Sequence, residues 1–143
     1  MNMPLARDVL AEPVKTDADV LARVAAIISE DARALRTLWL FFLDSRGTQS
    51  NVVVPIDDLP GLPDEEFAGG ICQIVSQVVA ESVPGGTAVV TLSRPGPPVP
   101  GEGDLRWAAA LRRGAARHET PVRMVCLATP GGVRELGGVA ANG

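Results

Sequence analysis

The side chains best placed to do chemistry are Thr91, Ser93, Arg94 and Asp104, gathered where an apolar strand ends and a helix begins. Thr-Ala-Val-Val-Thr-Leu-Ser (87–93) runs into Arg-Pro-Gly-Pro-Pro-Val-Pro-Gly-Glu-Gly-Asp (94–104). Loops that leave the end of a core strand and feed a helix are where α/β proteins usually keep their sites. A hydroxyl, a guanidinium and a carboxylate can hold an anion or polarise a substrate, the equipment of a metal-independent hydrolase or transferase. The loop has no His and no Cys, and Arg94, Glu102 and Asp104 are its only charged groups. No nucleophile here has a base beside it.

The remaining candidates are weaker. His118 is the only histidine. It stands in the last turn of a predicted helix, where it interacts well with the dipole and needs no other role. Gly101-Glu-Gly-Asp104 reads as a piece of a dinucleotide fingerprint, but Arg106 replaces the third Gly and two carboxylates would repel a pyrophosphate. Asp57, Asp58, Asp64, Glu65 and Glu66 form an acidic patch that would have to converge across a loop to hold an ion, so no metal and no cofactor is expected. Arg106, Arg113 and Arg117, with Arg112 beside them, give the helix a basic stripe suited to an acidic protein partner. Trp39 and Trp107 read as core or interface anchors. With no Tyr and 3% aromatic residues, a base-stacking surface is not expected.

Positioning these groups is the work of a regular alternation of elements. Residues 1–15 read as a leader. Thr16 caps a helix predicted over 16–36, with Val20, Leu21, Val24, Ile27 and Ile28 on one face. That stripe is too large to leave in water, and the short connection at Arg36-Thr37 points to burial against a second copy, a homodimer. Thr37 to Asp44 is a continuous apolar strand, Ser45-Arg46-Gly47 a hairpin turn, and Ser50 to Ile56 a second strand. Asp64 opens a helix with Phe67, Ile71, Ile74, Val75, Val78 and Val79 as its core stripe, and Gly69-Gly70 suggests close helix–sheet approach. After the strand 87–93, Asp104 caps a helix to about Arg117, with Leu105, Ala108, Leu111 and Ala115 inward. Pro121 to Ala128 is a strand, Thr129-Pro-Gly-Gly132 a turn, and Val133 to Leu136 a short fifth strand. Residues 137–143 read as a disordered tail. The order α-β-β-α-β-α-β-β predicts an α/β fold, a three-layer α/β/α domain over 37–136 with a mixed sheet. The expected core is Leu38, Leu40, Phe42, Val53, Ile71, Val75, Val78, Val89, Leu92, Leu111, Val125 and Leu127.

The hairpin Leu-Trp-Leu-Phe-Phe-Leu-Asp-Ser-Arg-Gly (38–47) and the later run of strand, Pro/Gly-rich loop, Asp and arginine-bearing helix resemble the JAB/MPN domain of the RadC type, over Leu38 to Leu136. That family's metal motif is His-x-His, ten residues, then Asp, with a Ser three before the Asp. Here the frame reads Thr91-x-Ser93, ten residues, Asp104, with Gly101 at the Ser position. Sliding by one sets Arg94-Pro95 against the family's His-Pro pair and shortens the spacing to Asp104 by one. Both His ligands are absent on either alignment, and one carboxylate cannot replace the three protein ligands of a zinc hydrolase. The resemblance implies the fold without the metal or the isopeptidase activity.

Composition narrows the classes further. At 143 residues, with 46% hydrophobic and 21% charged residues, the chain suits one globular domain. A net charge of −4 with scattered arginines excludes a nucleic-acid footprint. The longest apolar stretch, Leu38 to Leu43, is too short to span a bilayer, and no secretion signal is read at the N-terminus. Cys72 and Cys126, each in an apolar run, are expected as free buried thiols, which fits a cytoplasmic protein. A single lysine among many arginines, with abundant Ala, Gly, Val and Pro, fits a GC-rich bacterial genome. The reading favoured is a non-catalytic binding or scaffold domain. The hydrolase or transferase using Ser93, Arg94 and Asp104 is its rival.

Overall fold

The computed structural model describes residues 12–136. Its strands are β1 (Thr37–Leu43), β2 (Gln49–Asp57), β3 (Thr87–Ser93), β4 (Val122–Thr129) and β5 (Gly132–Glu135). Its helices are α1 (Asp17–Ile27), a single turn α2 (Glu30–Arg33), α3 (Glu65–Ser82) and α4 (Glu102–His118). One mixed sheet runs β2-β1-β3-β4-β5, with only the β3–β4 pair parallel. This is the expected α/β class and element order, with one helical turn added.

Both crossovers, β2-α3-β3 and β3-α4-β4, step across the sheet in the same direction. Connections of one hand stepping one way place their helices on one face. Accordingly α3 and α4 share a core with Leu38, Leu40, Phe42, Val90, Leu92, Val125 and Leu127. The opposite face would be bare without the N-terminal segment. Val14, Val20, Val24 and Ile28 cover it, packing on Phe41, Leu43, Val89, Met124, Cys126 and Ala128. The amphipathic stripe is thus buried on its own sheet, so the burial argument for a homodimer through this helix does not hold.

The single helix expected over 16–36 is two. Thr16 caps α1 in a reciprocal box with Asp19, as the sequence indicates. Ile28 then turns extended, and Ser29 caps α2 by accepting from Ala32 N–H at 3.2 Å. A serine that satisfies a backbone donor restarts a helix as readily as it continues one. The break is held by buried Arg33, which donates to the carbonyls of Ile28 at 2.9 Å and Ala25 at 3.0 Å. Within the segment read as a leader, Val14 is buried and bonds Gly47 O at 2.8 Å. Residues 1–11 and the expected tail 137–143 lie outside the described residues.

The β1–β2 turn is set by Asp44, whose carboxylate accepts from the N–H of Arg46 and Thr48 at 2.8 and 2.9 Å. Gly47 takes φ +85°, and a Cβ there would stand 2.4 Å from Val14 O. Helices α3 and α4 approach closely through Gly114, where a Cβ would meet Cys72 Sγ at 3.0 Å and Gly69 Cα at 3.3 Å. The Gly69 contact is therefore helix to helix, rather than helix to sheet. Of the expected core, Val53 is 36% exposed and Val78 half-buried, while the other ten positions are buried. Leu105, read as inward, is exposed, as are Phe67 and Ile74 of the α3 stripe. Val53 was misplaced because an apolar run looks the same whether or not a helix covers it.

Candidate functional site

Strand alternation divides the four candidate residues. Val90 and Leu92 face α3 and α4, so Thr91 and Ser93 point to the α1 side. Arg94 leaves the strand end and crosses to the α4 N-terminus. The quartet is therefore three separate environments.

Ser93 is locked. Its Oγ accepts from Trp39 Nε1 at 3.0 Å and faces the carbonyls of Leu35 at 2.7 Å and Thr37 at 3.2 Å, to which its single proton is directed. A hydroxyl donating to a main-chain carbonyl has no base to activate it. Thr91 is fully buried, and its Oγ1 has no hydrogen-bond partner. In the parallel register it stands against Cys126, whose thiol burial pushes up to about 12. Cys72 is likewise raised by burial, on the opposite face, so the two free thiols cannot meet.

Arg94 and Asp104 form one unit. Arg94 Nε lies 2.9 and 3.0 Å from the two carboxylate oxygens, and NH2 bonds Oδ2 at 2.7 Å. The same guanidinium reaches the carbonyls of Pro95 at 2.7 Å, Pro97 at 3.3 Å and Val99 at 3.0 Å. A guanidinium has five N–H groups in a fixed fork, and here all five have acceptors. The cation organises its own loop. Asp104 is not the N-cap: Gly101 holds that position, and Asp104, three residues on, accepts from its N–H at 2.7 Å. Burial favours the neutral acid, but the Arg94 hydrogen bonds, the Gly101 N–H and the charges of Arg94 and Arg36 outweigh it, and the carboxyl lies below its ordinary value. Arg94 is raised by its bonds to Asp104.

Around this pair is an open depression of about 500 Å3, lined also by Arg36, Gly61, Leu62 and Glu102. Nothing in the local sequence around 36 or 61 points to this convergence, because it depends on the β2–α3 connection folding against the α4 N-terminus. Among the described residues, no group of three His, Cys, Asp or Glu side chains could hold a metal ion. In the basic stripe, Arg106 pairs with Glu102 at 2.8 Å and Arg113 with Glu65, which lowers the Glu65 carboxyl through the Arg113 hydrogen bond. Arg117 and His118 lie over Gly69. A second polar cluster escaped the sequence reading: buried Arg23 donates to Gln49 Oε1 at 2.8 Å and to Glu12 O at 2.5 Å. Its signal was present, since Arg23 falls on the Val20–Ile27 stripe at helical spacing.

No described helix is long and apolar enough to cross a membrane. The chain matches no family model, no curated protein and no solved structure.

Proposed function

We propose that the chain is a non-catalytic α/β binding domain, similar to a metal-free JAB/MPN fold, that works in the cytoplasm by holding another protein or a second copy of itself. The observation that carries this reading is the saturation of Arg94 by Asp104 and three loop carbonyls. In the frame shifted by one, Arg94 stands at a metal-ligand position and Asp104 one residue short of the other. A fixed guanidinium then supplies, without a metal, the positive charge that the carboxylate requires. The same pair removes both groups from substrate chemistry, and Ser93 is removed by its bonds to Trp39 and Leu35. The two free, buried cysteines support a reducing compartment.

A double-mutant cycle tests this. Arg94→Met and Asp104→Asn each break a pair whose side chains are only 13% and 10% exposed, and each is expected to cost roughly 3 kcal/mol of unfolding free energy. The double variant should cost clearly less than the sum. Residues retained for chemistry usually cost stability instead. Single variants as stable as the wild type, or more so, would overturn the reading and return Ser93, Arg94 and Asp104 to the hydrolase or transferase alternative.

A further inference from the structure

Among the described residues, five of the eight exposed large hydrophobic ones, Val52, Val53, Leu62, Phe67 and Ile74, fall in or between β2 and α3. The stretch from Gly47 to Ser93 also holds six carboxylates (Asp57, Asp58, Asp64, Glu65, Glu66, Glu81) and no Lys, Arg or His. The architecture explains the apolar part. Strands are spaced about 4.8 Å apart and packed helices about 10 Å, so two helices cover roughly four strands. The sheet has five, and the close contact at Gly114 draws α3 towards α4. Edge strand β2 is left over, with most of its length exposed.

On the α3 side, Val54 and Ile56 of β2 and Val78 of α3 are half-buried against the main core. Phe67 and Ile74 lie on the same stripe of α3 as Val78, at spacings of seven and four, and stand further out, at 41% and 58% exposure. They make an apolar shelf beside α3, with the Phe67 ring also edge-on to Trp107 of α4, 6.2 Å between centroids. A strand is the poorer occupant, since Pro55 and the irregular register between Phe41 and Leu43 spoil the free edge for pairing.

We infer that this shelf receives a basic amphipathic helix from a partner protein, laid alongside α3 over β2. The inference rests on the binding-domain reading and gives the partner its chemistry. The partner's apolar stripe completes the missing part of the helical layer. Its Lys or Arg side chains meet Asp58, Glu66 and Glu81, carboxylates of the same stretch, which carries no Lys, Arg or His of its own. The basic stripe of α4 serves a partner less well, because Arg106 and Arg113 already hold carboxylates.

The test uses the full chain and a fluorescent model helix of Leu and Lys at heptad spacing, with a Leu and Glu helix as its counterpart. Anisotropy should show binding of the Lys helix, weakened by salt, and little binding of the Glu helix. Ile74→Lys, at an exposed position, should keep the fold by circular dichroism and weaken binding about tenfold or more. Leu35→Lys, exposed at 61% outside β2 and α3, should leave it unchanged. Equal binding of both helices, or an Ile74→Lys variant that binds like wild type, overturns the inference. So does a wild type that is dimeric by light scattering and made monomeric by Ile74→Lys, since the occupant would then be a second copy. None of these results touches the Arg94–Asp104 cycle, which judges the binding-domain reading separately.

Discussion

Holding a carboxylate beside a guanidinium changes the proton affinity of both, and at Asp104 the result is a group that stays ionised further into acid. Its carboxyl sits below the ordinary 3.8, so the unfolded chain takes up this proton first. The stability it contributes is complete above the unfolded value and is lost as pH falls through the lower folded value. Urea unfolding measured from pH 6 downward should therefore show a loss of stability beginning near about pH 4 to 5, and Asp104→Asn should flatten that part of the profile. An unchanged profile in the variant would mean that other carboxylates set the acid limit. At this scale the sequence was half legible. It located the strand end correctly and named Arg94 and Asp104. It could not show that Arg94 would spend every N–H on its own loop, because that depends on the path of the seven prolines and glycines between them. Nor could it show that Ser93 and Arg94, adjacent in the chain, face opposite layers of the molecule.

Helices α3 and α4 offer a contrast between two glycines that look alike in the sequence. At Gly114 an added Cβ would meet Cys72 Sγ at 3.0 Å, Gly69 Cα at 3.3 Å and Ala68 O at 3.4 Å. Two of those three atoms are backbone and cannot step aside. At Gly70, also within a helix, a Cβ meets nothing within 4 Å. Replacing a mid-helix Gly by Ala gains roughly 0.5–1 kcal/mol in propensity when space allows, whereas overpacking costs about 1–3 kcal/mol. Gly70→Ala should therefore raise the denaturation midpoint and Gly114→Ala lower it, a difference of sign that chemical denaturation reads directly. If both shifts were positive, the helix pair would be looser than its geometry. Hydrophobic periodicity placed every strand within a residue or two and found both long helices. Coverage was harder to read. Val53, Phe67, Ile74 and Leu105 carry the apolar character of core positions, yet whether a position is covered depends on how many helices a sheet of five strands receives. The interruption at Ile28 was similarly hidden, since Ser29 serves as a cap only once Arg33 has folded back on the α1 carbonyls.

Two cores on opposite faces of one sheet raise the question of whether the molecule opens as a unit. The α3–α4 face is built by crossovers that the chain cannot release without breaking the sheet. The α1–α2 face is covered by a segment that lies outside the sheet, leads into β1 through Leu35 and Arg36, and is tied down by Asp17–Arg123 at 2.8 Å, Arg23–Gln49 and Val14–Gly47. Local opening draws on the layer with fewest ties, and its free energy can lie well below that of global unfolding. The two cysteines report on the two faces, Cys126 under α1 and Cys72 between α3 and α4. Both thiols are raised by burial, Cys126 to about 12, so neither reacts until its layer lifts. Val24→Ala removes a fully buried side chain from the α1 layer and should cost roughly 2 kcal/mol there. Thiol labelling followed residue by residue by mass spectrometry should then accelerate at Cys126 while Cys72 stays slow. Equal acceleration at both would show that α1 cannot lift without the sheet coming apart. The N-terminal layer would then be as integral to the fold as either crossover, because the face it covers holds Phe41, Val89 and Met124, residues no domain of this size can leave in water.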